Sequence, residues 1–308
     1  MTKRTIGIDL GSNTLRAAAC NCTTGMFEVT YGTIVKTADG LAQTGRISDG
    51  AVQRVITGLN EMQEAIDFSE ASVRAVTTEA MRRAGNAGEV LARIAGETGV
   101  TFDVIDGEEE ARLTLSAVRH RLKQLTPDAT DESLVLVDIG GGSTELIFAY
   151  PDGTIVSQSF PLGIVTLSQS HPDLEAIAEA LPEVMLPIER FVAEVYVDGG
   201  RPDRFVATAG TPTSVASMQR GMEYDTYDPK QINGTELRIH APRYYLDKLL
   251  AMPMSQRERI VGIGRADLVT AGILIFDRLY RILGFEACTV IDDGLREGVA
   301  LSLCEDRG

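Results

Sequence analysis

Leu134-Val135-Leu136-Val137-Asp138-Ile139-Gly140-Gly141-Gly142-Ser143-Thr144-Glu145 is the stretch on which the fold turns. Four aliphatic residues in succession predict a buried strand. An aspartate stops it, three glycines follow, and two hydroxyls and a second carboxylate close the motif. Glycines lack a Cβ, so successive backbone N–H groups can turn inward around an anion. A carboxylate beside a phosphate repels it unless a divalent cation lies between them. The composition is therefore that of a metal–phosphate site, although a plain glycine turn between two strands explains the segment taken alone.

The pattern recurs near the N-terminus as Thr5-Ile6-Gly7-Ile8-Asp9-Leu10-Gly11-Ser12-Asn13-Thr14. Asp9 aligns with Asp138, Gly11 with Gly140 and Thr14 with Ser143. A duplicated strand–turn with one aspartate per copy predicts two similar halves facing each other across a cleft. The duplication resembles the acetate and sugar kinase, heat-shock-70 and actin superfamily, in which each of two domains contributes a phosphate loop. That resemblance implies an α/β fold of two ribonuclease-H-like (actin-like ATPase) domains, with mixed sheets flanked by helices and the active site in the interdomain cleft. The first domain is expected to take residues 1–126 and a terminal helix at about 294–308, and the second residues 127–293.

A chain of 308 residues is long enough for two domains with buried cores. Hydrophobic residues make up 44% and the mean hydropathy is +0.01, values of a soluble globular protein. No apolar run approaches the ~20 residues that span a bilayer, and no signal-peptide stretch precedes the first strand. The cysteines Cys20, Cys22, Cys288 and Cys304 form no CxxC pair, and are read as reduced thiols of a cytoplasmic protein. A net charge of −15 argues against nucleic acid as a partner. A polyanionic substrate would have to be held by local arginines and metal ions against the field of the whole chain.

Along the chain, Arg16 stands just past the first loop. Asp49 is expected to cap a helix whose apolar positions Val52, Val55, Ile56, Leu59, Met62 and Ile66 step by three and four. Arg82 and Arg83 follow a short strand end, either as a solvated face or as ligands where α/β sheets bind them. Glu108, Glu109 and Glu110 open a helix to about Leu125, a placement the helix dipole favours. Thr126–Ser133, with Pro127, Asp128 and Asp131, reads as a linker. Asp173–Val197 is helical with breaks or kinks at Pro182 and Pro187. Arg204–Ser214 is a strand, turn and helix start, and offers Thr211 as a further ligand contact or a mere structural turn. Tyr224–Thr235 is expected to be an exposed excursion, and Ala266–Leu283 a strongly apolar helix.

Five stretches in order carry a closer resemblance: Ile8-Asp9-Leu10-Gly11-Ser12-Asn13, Glu79-Ala80-Met81-Arg82, Gly107-Glu108-Glu109-Glu110-Ala111-Arg112-Leu113, Val137–Glu145, and Asp293-Gly294-Leu295-Arg296-Glu297-Gly298. Together they resemble the exopolyphosphatase and guanosine pentaphosphate phosphohydrolase (Ppx/GppA) family, in its short form without C-terminal helical domains. The family removes terminal phosphate from inorganic polyphosphate, or the 5′-γ-phosphate of guanosine pentaphosphate, with Mg²⁺. The resemblance implies Glu110 as the catalytic glutamate, Arg82 as the active-site arginine, and Asp138 and Glu145 as metal-associated carboxylates, with Asp9 as a second metal or water contact. Glu108, where the family often has a small or amide residue, lengthens the acidic run and leaves open which glutamate faces the site.

The residue types suit that chemistry. Phosphoanhydride hydrolysis depends on positioning, charge neutralisation and an oriented water. Glu110 is expected to orient and deprotonate the water, and Mg²⁺ (or Mn²⁺) on Asp138 and Glu145 to polarise the phosphoryl oxygens. The loops Gly11, Ser12, Asn13, Thr14 and Gly140, Gly141, Gly142, Ser143 would hold non-bridging oxygens, with Arg16 and Thr211 as further contacts. Arg82 would offset charge on the transferring group. Exopolyphosphatase is the leading reading, with pentaphosphate hydrolysis and a place in the stringent response as the alternative. A phosphotransferase of the same fold and a non-catalytic alarmone sensor are weaker, because neither needs the Glu110 motif. A homodimer is expected only by family analogy, and no membrane partner is expected.

Overall fold

The computed structural model describes residues 4–127 and 132–305, so Asp128 and Asp131 of the expected linker lie outside the described residues. The chain divides into two compact units: residues up to Arg119 together with those from Asp293 on, and His120–Asp292. Among the described residues no helix is long and apolar enough to cross a membrane.

The first unit runs β1 (Arg4–Leu10), β2 (Thr14–Asn21), β3 (Met26–Ile34), α1 (Leu41–Thr44), α2 (Asp49–Ala65), β4 (Ala71–Thr77), α3 (Glu79–Arg83), α4 (Ala87–Thr98) and β5 (Phe102–Val104). Helix α5 (Gly107–Leu125) then carries the chain onward. The sheet order is β3-β2-β1-β4-β5, with β1 antiparallel to β2 and parallel to β4. Ile6, Ile8 and Leu10 of β1 and Ala17–Cys20 of β2 are buried. On α2 the apolar stripe Val52, Val55, Ile56, Leu59 and Met62 is buried too. Each large aliphatic side chain so buried contributes about 1.5–3 kcal/mol. Ser48, one residue before the expected Asp49, caps α2: its hydroxyl accepts the Ala51 N–H at 3.3 Å, which Asp49 inside the helix cannot do.

The second unit runs β6 (Leu134–Ile139), β7 (Thr144–Ala149), β8 (Ile155–Phe160), α6 (Ile164–Ser170), α7 (Leu174–Val184), α8 (Leu186–Gly199), β9 (Arg204–Thr208), α9 (Gly210–Gln219), α10 (Pro229–Ile232), β10 (Thr235–Arg238), α11 (Ala241–Leu250), α12 (Met254–Val261), α13 (Ala266–Leu283) and β11 (Ala287–Val290). Its sheet order is β10-β11-β9-β6-β7-β8. Read from the other edge, β8-β7-β6-β9-β11 repeats the order of the first unit with the same parallel and antiparallel joins, and β10 is an added sixth strand. Two mixed sheets of this order, flanked by helices, make the ribonuclease-H-like, actin-like fold that the duplicated motif predicts. Phe148, Phe205, Phe276 and Tyr280 centre the core of this unit.

Three expectations need correction. Tyr224–Thr235 is not simply an exposed excursion, since Ile232 of α10 is fully buried and Thr235 begins β10 against β11. Pro182 lies inside α7; the break falls at Met185, and Pro187 sits in the first turn of α8, where its missing N–H has no partner to lose. Cys22 and Cys304 are joined in a disulfide, whereas four thiols were expected; only Cys20 and Cys288 are free, both buried. The cause is α14 (Leu295–Glu305), which returns onto β1, β2 and β4. Thr5 Oγ1 donates to the Ala300 carbonyl at 2.8 Å, and a Cβ at Gly7 would overlap the Arg296 carbonyl. So close a seat sets the Cα atoms of Cys22 and Cys304 5.4 Å apart, and the cysteines no longer argue for a reducing compartment.

Candidate active site

Each sheet carries one copy of the aspartate–glycine turn. In the first unit the Gly11 N–H donates to the Thr14 carbonyl at 3.0 Å, and in the second the Gly140 N–H donates to the Ser143 carbonyl at 2.9 Å. The loop carbonyls are tied down. Ser12 accepts from the Ala38 N–H at 2.8 Å, and Asn13 from the Val35 and Lys36 N–H groups at 2.9 and 3.0 Å. Gly140 accepts from Ile164 at 3.0 Å, and Gly141 from Val165 at 2.8 Å, both at the start of α6. Among the described residues all peptides are trans, so the C=O and N–H of one planar unit point opposite ways. The N–H groups of Asn13, Gly141 and Gly142 therefore face away from the elements that hold the carbonyls, the arrangement that suits an anion. Gly163 makes this possible in the second unit, because a Cβ there would overlap the Gly141 carbonyl.

The two turns differ in charge. Asp138 and Glu145 are register partners on β6 and β7, while their counterparts Asp9 and Arg16 are partners on β1 and β2. One unit thus pairs carboxylate with carboxylate, and the other carboxylate with guanidinium. Glu145 is only 3% exposed and its Oε1 accepts from Ser159 Oγ at 2.7 Å. Burial pushes Asp9 up to about 6, against the pull of Arg16 and Arg296.

The acidic run at the start of α5 is sorted by helix phase, since consecutive residues turn by about 100°. Glu108 is exposed. Glu109 faces Arg112 at 2.9 Å and Arg74 at 3.4 Å, and Arg112 above all holds it below the usual carboxylate range. Glu110 is the buried one, 9% exposed, and takes Arg82 Nη1 at 3.1 Å. Arg82 also donates to the Ile105 carbonyl at 2.7 Å and to Glu79 Oε2 at 3.1 Å, so its guanidinium is held on three sides. Sequence reading quoted Glu79 only as part of its motif, without a role, and passed over Ser159. Glu79 stands three residues before Arg82 in one helix, a spacing that pairs them; Ser159 left no local signal.

Thr211 stands in the first turn of α9. Its side chain is fully buried, with Oγ1 against Gly272 of α13, where a Cβ would collide with it. Among the described residues no three His, Cys, Asp or Glu side chains come together as a metal cage. Mg²⁺ commonly keeps several waters and binds through one or two carboxylates plus substrate phosphates, so the Asp138–Glu145 pair has a fitting donor set. Asp9 offers less, because its register partner is a cation.

A family model described as the Ppx/GppA phosphatase family matches residues 27–306. Exopolyphosphatase 1 of Mycobacterium leprae is 29% identical over 306 residues, covering 96% of this chain and 87% of that protein. Exopolyphosphatase 2 of Mycobacterium tuberculosis is 28% identical over 323 residues, covering 97% and 98%. Among solved structures, the Aquifex aeolicus member of the Ppx/GppA family superposes with a TM-score of 0.77 at 29% identity, covering 100% of this chain and 99% of that one.

Proposed function

The chain belongs to the Ppx/GppA phosphatase family, and from that premise we propose that it is an exopolyphosphatase, releasing terminal phosphate from inorganic polyphosphate with Mg²⁺. The observation that carries this reading is that both mycobacterial relatives, matched over 96% and 97% of this chain, are exopolyphosphatases by name. Water attacks the terminal phosphorus, the bridging P–O bond breaks, and the water's proton passes to Glu110. The Arg82–Glu110 contact supports this division of labour. An arriving phosphate competes with Glu79 and Glu110 for the guanidinium, and transfer of Arg82 to the phosphate leaves the Glu110 carboxylate to the water. Each turn offers amides to non-bridging oxygens, Asn13 in the first unit and Gly141 and Gly142 in the second, and Arg16 offsets charge near Asp9. Asp138 and Glu145 hold the metal, which when bound supplies Lewis-acid polarisation of the phosphoryl group.

The test is phosphate release from long-chain polyphosphate and from guanosine pentaphosphate, side by side, with no acceptor present. Faster release from polyphosphate is expected, with loss on chelation and recovery on adding Mg²⁺. Faster release from the pentaphosphate would replace the substrate and leave the chemistry standing. Phosphate appearing only with an acceptor alcohol would overturn hydrolysis itself.

A further inference from the structure

Four residues stand in register across the second unit's sheet: Ser159 of β8, Glu145 of β7, Asp138 of β6 and Thr208 of β9. Partners directly opposite on neighbouring strands project from one face. The row therefore reads hydroxyl, carboxylate, carboxylate, hydroxyl. The first unit repeats the scaffold and serves as an internal comparison. Its equivalent row is Gly32, Arg16, Asp9 and Val76. Hydroxyls flank the row only where two carboxylates stand together, and are absent where an arginine answers the aspartate.

The Ser159 hydroxyl donates to Glu145 Oε1 at 2.7 Å, and Glu145 is buried. A buried carboxylate with one oxygen fixed by a short hydrogen bond has its terminal torsion set, and so the direction of its other oxygen. Outer partners of this kind orient metal-ligating carboxylates and raise their affinity for the ion. We propose that Ser159 is a positioning residue for the divalent cation: its hydroxyl anchors one oxygen of Glu145 so that the other is presented toward Asp138 and the metal. The inference rests on Asp138 and Glu145 being the metal pair.

The test measures Mn²⁺ binding to the full chain by paramagnetic resonance or calorimetry, for wild type, Ser159→Ala, Ser159→Thr and Glu145→Gln, with a thermal melt on each to establish folding. Ser159→Ala is expected to weaken Mn²⁺ about tenfold or more. Ser159→Thr, which keeps the hydroxyl, should stay within about threefold of wild type, and Glu145→Gln should abolish binding. In turnover assays Ser159→Ala should raise the Mg²⁺ concentration for half-activation while kcat at saturating Mg²⁺ holds. Unchanged Mn²⁺ affinity in Ser159→Ala, with binding lost in Glu145→Gln, would refute the role of Ser159 alone. Ser159→Thr as weak as Ser159→Ala would also refute it, because packing rather than the hydroxyl would then matter. Mn²⁺ binding unaffected by Glu145→Gln would instead sink the metal assignment on which the inference stands.

Discussion

Glu109 and Glu110 are neighbours in the chain with different surroundings. Glu109 spends its charge on Arg112 and Arg74, whereas Glu110 meets a guanidinium that a phosphate can also claim. A general base contributes about 10²–10⁴-fold to kcat. Glu110→Gln is thus expected to lose turnover at that scale with polyphosphate binding retained, and Glu109→Gln to keep most of it; steady-state rates and a binding isotherm distinguish the two. Asp9 carries a pH signature. Raised to about 6 when folded, against ~3.9 when unfolded, it holds its proton more tightly in the folded chain between those values. Its contribution to stability is full below about 4 and falls as the pH rises through about 6. Unfolding free energies from urea titration of wild type and Asp9→Asn should therefore lie close near pH 4 and separate toward pH 7, with the variant higher by up to roughly 2 kcal/mol. The acidic run was legible from residue types, but which glutamate turns inward depends on how α5 is rotated against its packing, and no local pattern records that.

Between β6 and β7 the triglycine loop exists because another backbone lies against it. Gly163 touches the Gly141 peptide so closely that a methyl group has nowhere to go, and its neighbours are backbone atoms that cannot swing aside. Gly163→Ala should cost about 1–3 kcal/mol in a thermal or urea melt. It should also raise KM for polyphosphate, since moving Gly141 moves the amides with it. At this scale the sequence was most readable where a motif is local. Strand, aspartate and glycine turn lie within a dozen residues, and both copies form as that pattern requires. The surroundings of Thr211 were not legible for the opposite reason: the turn is local, but its hydroxyl lies against Gly272 of α13, more than fifty residues further on. Strand β10 was missed because four residues, Thr235–Arg238, alternate too briefly to stand out from loop.

The first unit is discontinuous, and α14 completes it. Thr5, Val299 and Ala300 are buried there, and Gly298 approaches the Leu113 carbonyl with no room for a side chain. A chain ended before Asp293 should leave the β1–β2 face bare; circular dichroism and proteolysis are expected to find the remainder of that unit unfolded, since several large side chains lose about 1.5–3 kcal/mol each. The duplicated turn and a helix opening within the Asp293–Gly298 motif were legible in the sequence. The link between Cys22 and Cys304 was not, because residues 282 apart are brought together only by the finished fold. That link has a consequence for the molecule as a covalent object. Residues 22–304 form a closed covalent circle. One protease nick anywhere within the circle leaves a single species on a denaturing gel, which parts into two bands only once a reductant is added.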